Sequence, residues 1–208
     1  MKKRIASIFL IFSMLLTLLP TTVLAAEKSL TQEKVTEVFG ENKAEYDPET
    51  KTVKLLDDVD AYWPGITFPA GSYVFDLDGH SLLTINIITE ADSFLTIKGN
   101  GTVTGSFSVT ADGSVTIENG VFHNTSITGE GEVTIKDGTF NGSIGAALRI
   151  GCKSGRIEGG KFAGVSDENN NYGCSVEFAG KEGSSLTITG GEFTGGKGEL
   201  SGEEVYAA

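Results

Sequence analysis

The sequence predicts an all-β chain folded as a single-stranded right-handed parallel β-helix (solenoid) with a short N-terminal cap. Three observations carry that prediction. A strand–corner–strand unit recurs along the chain, the spacing between its copies is uneven, and 28 glycines accompany little helical periodicity.

The repeating unit is seen best in four segments. They are Val115-Thr-Ile-Glu-Asn-Gly-Val-Phe122, Val133-Thr-Ile-Lys-Asp-Gly-Thr-Phe140, Arg156-Ile-Glu-Gly-Gly-Lys-Phe162 and Leu186-Thr-Ile-Thr-Gly-Gly-Glu-Phe193. In each, an Ile is followed by Gly at the third position and Phe at the fifth. Apolar residues alternate with polar ones before the Gly, as in a strand with one buried face. The Gly allows a corner, including positive φ, that a Cβ would penalise. The Phe then returns to the interior as the next strand begins. Leu95-Thr-Ile-Lys-Gly-Asn-Gly-Thr-Val103 and Phe75-Asp-Leu-Asp-Gly-His-Ser-Leu82 are looser versions.

The Phe-to-Phe steps are 18, 22 and 31 residues. Such variation suits a solenoid whose loops change length while its strands stay stacked. It does not suit helical repeat arrays, which keep a nearly fixed period. An antiparallel sandwich is the alternative, and it would need hairpin turns between consecutive strands.

Both ends of the chain differ from this repeat. Residues 1–26 have the layout of a secretory signal peptide: Lys2, Lys3 and Arg4, then an apolar stretch from Ile5 to Leu19, then Val23-Leu-Ala-Ala26. The apolar stretch is about 15 residues, short of the ~20 that span a bilayer. Residues 27–45 read as a cap segment, 46–196 as the β-helix and 197–208 as a C-terminal tail. Within the cap, Ser29-x-x-Gln32 has capping-box spacing, and Val35, Val38 and Phe39 fall on one helical face. A short helix over residues 29–39 is the expectation, and a strand is the alternative because Val35, Thr36 and Val38 are β-branched.

The formal charge is −12, and removal of the three cationic residues of the leader would take it to −15. A surface of that sign repels phosphate backbones, so neither nucleic acid nor an anionic membrane is expected as a partner.

These segments resemble the pectin-lyase-like superfamily of right-handed parallel β-helices, most closely secreted and cell-surface repeat proteins of Gram-positive gut bacteria. Asp76-Leu-Asp-Gly-His-Ser-Leu82 looks like that family's Leu-Asn-Gly-His-Thr opening coil, and Leu95 to Gly105 looks like the coil that follows it. Tyr46 to Leu56 resembles the strand pair that often opens such domains. The likeness spans residues 46–195 and its motifs are structural.

Enzymes of this superfamily imply particular constellations. The Asn-Thr-Asp, Asp-pair, Gly-His-Gly and Arg-Ile-Lys set of polygalacturonase-like hydrolases is missing, since Asp57-Asp58 stands without the other members. Arg149 and Arg156, the only arginines after the leader, have no carboxylate cluster beside them in sequence, as a lyase-like calcium site would require. His80 and His123 read as turn and corner residues, and Asp76 and Asp78 as solvated carboxylates too few for calcium. No catalytic residue, metal ligand or cofactor site is assigned.

The best ligand-binding candidates are Tyr62 and Trp63 in Asp60-Ala-Tyr-Trp-Pro-Gly65, with Tyr172 in an Asn-rich loop as a third, because aromatic faces stack on sugar rings. Cys152 and Cys174 lie 22 residues apart. With coils of about 22 residues they would sit on neighbouring coils, and strands ~4.7–4.9 Å apart match the Cα separation of a disulfide. A bridge is therefore expected, with stacked free thiols as the alternative.

Together these readings lead to a secreted or cell-surface, non-catalytic β-helix protein, an adhesive, glycan-binding or structural surface module. Its expected partners are extracellular carbohydrate or another surface protein. The alternatives are a diverged polysaccharide lyase or glycoside hydrolase, and a spacer in a larger surface assembly.

Overall fold

The structure, a computed structural model, describes residues 29–60, 65–143, 145–165, 173–200 and 203–206. The leader-like segment 1–26 lies outside these residues.

Successive strand triplets build the coils. The first is β3 (Gly65–Phe68), β4 (Gly71–Asp76) and β5 (Ser81–Leu82), and the second β6 (Ile85–Thr89), β7 (Ser93–Lys98) and β8 (Thr102–Val103). There follow β9 (Phe107–Ala111), β10 (Ser114–Ile117) and β11 (Val121–His123), then β12 (Thr125–Thr128), β13 (Glu132–Ile135) and β14 (Thr139–Asn141). The last two are β15 (Leu148–Gly151), β16 (Ser154–Ile157) and β17 (Lys161–Ala163), and β18 (Val176–Phe178), β19 (Ser185–Ile188) and β20 (Glu192–Thr194).

Each strand pairs in parallel with its counterpart one coil away, which makes three sheets around one core and a β-solenoid of about five turns. Sheet 1 contains β4, β7, β10, β13, β16 and β19; sheet 2 runs from β5 to β20 and sheet 3 from β3 to β18.

The register stacks like on like. Ile97, Ile117, Ile135, Ile157 and Ile188 form one row, and Val103, Phe122, Phe140, Phe162 and Phe193 another. Phe122, Phe140, Phe162 and Phe193 stack face to face with centroids 4.9–5.3 Å apart. Corner residues Gly120, Gly138, Gly160 and Gly191 all have positive φ. Between sheets 1 and 2 the corner is four residues long in the first coil and three in every later one, whereas the other two corners absorb the extra length toward the C-terminus. That is why the coil lengthens toward the C-terminus without breaking the Ile-to-Phe spacing.

The residues that follow Val53, Phe75, Ile97, Ile117, Ile135 and Ile157 carry charge of alternating sign. Lys54 lies opposite Asp76, followed along the row by Lys98, Glu118, Lys136 and Glu158. Lys98 meets Asp76 at 3.4 Å and Lys136 meets Glu118 at 3.1 Å. Exposed pairs of this kind contribute at most ~1 kcal/mol each, yet they let each coil neutralise its neighbour.

At the N-terminus, α1 (Gln32–Phe39) buries Val35 and Phe39 against the first coil, with Phe39 stacked 5.8 Å from Phe75. The segment is a helix, and its cap is Thr31 rather than Ser29, because the Thr31 hydroxyl accepts from Lys34 N at 3.3 Å. Gln32 is instead turned toward β1 (Ala44–Asp47). Its Nε2 donates to Ala44 O at 3.1 Å and its Oε1 accepts from Tyr46 N at 2.6 Å, filling the outer edge of that strand. β1 pairs antiparallel with β2 (Thr52–Leu55), and β2 starts the parallel stack on β4.

Beyond β20, β21 (Lys197–Leu200) and β22 (Glu203–Tyr206) form an antiparallel hairpin.

Candidate functional site

The outward side of sheet 1 is a flat face of hydroxyls. Strand alternation turns Ser72, Phe94, Ser114, Glu132, Ser154 and Ser185 outward in one row. The parallel row holds Thr96, Thr116, Thr134, Arg156 and Thr187. Threonine suits these positions because a β-branched side chain packs well on a pleated surface while its hydroxyl faces water. Phe94 stands out: it is 58% exposed between Ser72 and Ser114, with Thr96 beside it. An aromatic ring with hydroxyls at ladder spacing around it can stack on an apolar ring face and exchange hydrogen bonds at its rim.

Shallow concavities follow the corner between sheets 1 and 2. One of about 410 Å³ is lined by Asp76, Asp78, Lys98, Asn100, Glu118 and Asn119. It adjoins another of about 330 Å³ that shares Asn100 and Asn119 and reaches Asp137 and Lys161. The carboxylates here are engaged: Asp76 Oδ1 accepts from Asp78 N at 3.0 Å, and Asp78 pairs with Lys54 at 2.9 Å. On sheet 3, Ser126, Thr128, Arg149 and Lys181 line a concavity of about 430 Å³. Arg149 pairs there with Glu177 at 3.5 Å and Lys181 with Glu130. The hydrogen bond between the latter two raises the Lys181 pKa and lowers that of Glu130.

Tyr62, Trp63 and Tyr172 lie outside the described residues. Sequence reasoning passed over Phe94 although the signal was present. In Ser93-Phe-Leu-Thr-Ile97 the interior positions are Ser93, Leu95 and Ile97, so alternation alone sends Phe94 outward.

The structure does not bring the remaining candidates together. Arg149 is on sheet 3 and Arg156 on sheet 1, where it pairs with Glu158 at 2.6 Å. His80 closes a turn, donating its backbone N–H to Leu77 O at 2.8 Å, with Asp78 and Gly79 both at positive φ. Its Nδ1 lies 3.7 Å from Asp58. His123 ends β11, two coils further on. Among the described residues, no group of three or more His, Cys, Asp and Glu side chains is arranged to hold a metal.

The expected disulfide is absent; Cys152 and Cys174 are both free. The reason is the length of this particular coil. Leu148 lies opposite Val176, a step of 28 residues rather than 22, so Cys174 is the counterpart of Ala146 and Cys152 that of Gly180. Ala147 N donates to Cys174 O at 3.1 Å, in keeping with that register. The two cysteines thus sit at opposite ends of the strands of sheet 3, six positions apart along the strand direction. Six residues of extended chain cover roughly 20 Å, far beyond the reach of a bridge.

Desolvation, aided by the charge of Asp112, pushes the Cys152 thiol up to about 11. In a thiol titration, both cysteines are expected to react once the chain is unfolded, Cys152 is expected to resist in the native state, and reductant should leave the melting temperature unchanged. Between pH 9 and about 11 the unfolded chain releases the Cys152 proton first, so stability should fall as pH rises through that window. A reductant-sensitive melting curve would reinstate the bridge.

Among the described residues no helix is long and apolar enough to cross a membrane. No protein-family model, curated protein or solved structure matches the chain.

Proposed function

We propose that this chain is a non-catalytic β-helix module that acts outside the cell, where it presents the outward face of sheet 1 to carbohydrate. The observation that carries the reading is Phe94, 58% exposed on a rigid strand and flanked by the hydroxyls of Ser72, Ser114 and Thr96. Sugar rings offer an apolar C–H face and a hydroxyl rim, and this surface complements both. The strands beneath are held by two parallel neighbours each, so the site is preorganised and little ordering entropy is lost on binding. The leader-like residues 1–26 support export, and the likeness to the pectin-lyase-like superfamily supports an extracellular polysaccharide setting.

A glycan array followed by calorimetry tests this. Phe94→Ala is expected to weaken binding by about tenfold, the upper part of the range of an aromatic stack, with the melting temperature within a few degrees of the parent. Trp63→Ala, run beside it, reports whether Trp63 adds to the same binding. Binding that is indifferent to Phe94 removes the proposed face. Release of reducing or unsaturated sugar ends from polyuronates, lost in Arg149→Ala or Arg156→Ala, favours the enzyme alternative.

A further inference from the structure

We propose that the C-terminal end of the solenoid is an interaction surface for a second copy of this chain, joined tail to tail about a two-fold axis. The inference is independent of the carbohydrate reading.

The interior rows run out into solvent at this end. Phe178, Ile188 and Phe193 are 39%, 50% and 41% exposed, whereas their counterparts one coil back, Ile150, Ile157 and Phe162, are at most 1% exposed. These three side chains belong to three different sheets and surround one cross-section of the core, so they form a continuous apolar end. Terminal repeats of a solenoid normally carry a polar outer surface, which this coil does not.

The backbone is unpaired there as well. Among the described residues, β18, β19 and β20 are each the last strand of their sheet and bond to one neighbour only. Ser185 N and Thr189 N donate to Lys153 O and Ile157 O of the coil beneath. In a parallel ladder alternate residues face opposite neighbours, so the amides of Leu186 and Ile188 point to the free edge. Such an edge is a template for another strand.

The geometry selects the partner. A head-to-tail stack would need an open N-terminal end, but α1 covers the first coil and Gln32 occupies the outer edge of β1. The remaining arrangement is isologous, which closes as a dimer instead of growing into a fibre. A two-fold axis through sheet 1 sets β19 antiparallel to its counterpart in the second copy and β18 against the second copy's β20.

Charge permits this approach. Two copies of a chain with net charge −12 repel over most of their surfaces. At the terminal coil, however, Glu177 is paired with Arg149 at 3.5 Å, Glu192 with Lys161 at 3.4 Å, and Lys181 with Glu130, which leaves Glu182 as the carboxylate of this coil outside an ion pair among the described residues. The outward residues of β19, Ser185 and Thr187, are uncharged.

The test is sedimentation equilibrium of the full chain from low micromolar to millimolar concentration, with hydrogen exchange read at each concentration. A monomer–dimer equilibrium is expected, and exchange at the Leu186 and Ile188 amides should slow roughly tenfold or more as the dimer fills. Ile188→Lys and Phe193→Lys, each burying an unpaired charge, are expected to weaken association by at least ~100-fold. The concentration dependence of exchange in the unaltered chain is informative even where a variant loses its last coil. A monomer at every concentration overturns the proposal, as does a dimer unmoved by both substitutions. Protection of the Leu186 and Ile188 amides that is the same at all concentrations overturns it too, because it would mean that the following hairpin of the same chain covers the end.

Discussion

Phe140→Ala is expected to cost about 4 kcal/mol, within the ~3–5 kcal/mol range for deleting a buried phenylalanine. The side chain is fully buried in the middle of the stack, 5.3 Å from Phe122 and 4.9 Å from Phe162. Truncation leaves a void bounded by two rings that are held by their own coils and cannot close in on it. It also removes two aromatic contacts worth ~0.5–1.5 kcal/mol each beyond burial. Because each coil touches only its neighbours, weakening this layer should also uncouple the solenoid above and below it. A urea titration followed by circular dichroism should show a lower midpoint and a shallower or biphasic transition. The control is Phe193→Ala at the open end of the same row, where 41% exposure limits the loss. If the two substitutions cost the same, the core is not the continuous stack described above.

Gly120→Val should be nearly as damaging, at about 3 kcal/mol, from strain at positive φ and overpacking together. Gly120 has φ 124°, a conformation that a β-branched residue all but forbids. A Cβ at this site would also stand 2.7 Å from Cζ of Phe122, so the ring that follows the corner would have to leave its place in the stack. Gly65→Ala provides the comparison. Gly65 is not at positive φ and a Cβ there would meet nothing within 4 Å, so the change should be neutral or slightly stabilising. Thermal melts of the two variants beside the parent check both statements. A tolerated valine at position 120 would mean that the corner is not the device that turns Phe122 inward.

Both expectations rest on a unit that could be read from the sequence because it is local. Ile117, Gly120 and Phe122 lie within six residues, and the corner between sheets 1 and 2 is never interrupted. The looser segment ending at Val103 was legible for the same reason, and Val103 takes its place in the Phe row. The outward position of Phe94 was equally available from alternation. The lone Trp63 beside Tyr62 is the more conspicuous aromatic in the sequence, whereas a phenylalanine within a strand pattern blends with the core residues around it.

The cysteines and the N-terminal cap were another matter. Their pairing depends on which residue lies opposite which, one coil away. That register is set by the lengths of the two variable corners; the 31-residue step from Phe162 to Phe193 shows in the sequence that this coil is long, but not which corner carries the extra residues. Similarly, Ser29 and Thr31 both have a side chain able to cap a helix. Thr31 does so, its hydroxyl accepting from Lys34 N, while Gln32 reaches the edge of β1, a strand that begins 12 residues further along the chain.

By itself, then, the sequence determined where strands and corners fall and which side chains face the core. These follow from alternation and from the φ that a single residue can adopt. Only the tertiary structure decided what stacks on what: two free thiols at opposite ends of one sheet's strands, an edge filled by a glutamine, and an end at which Phe178, Ile188 and Phe193 are exposed. Each of these is a contact between residues brought together by loop lengths, and loop length leaves no mark on the period of the strands it joins.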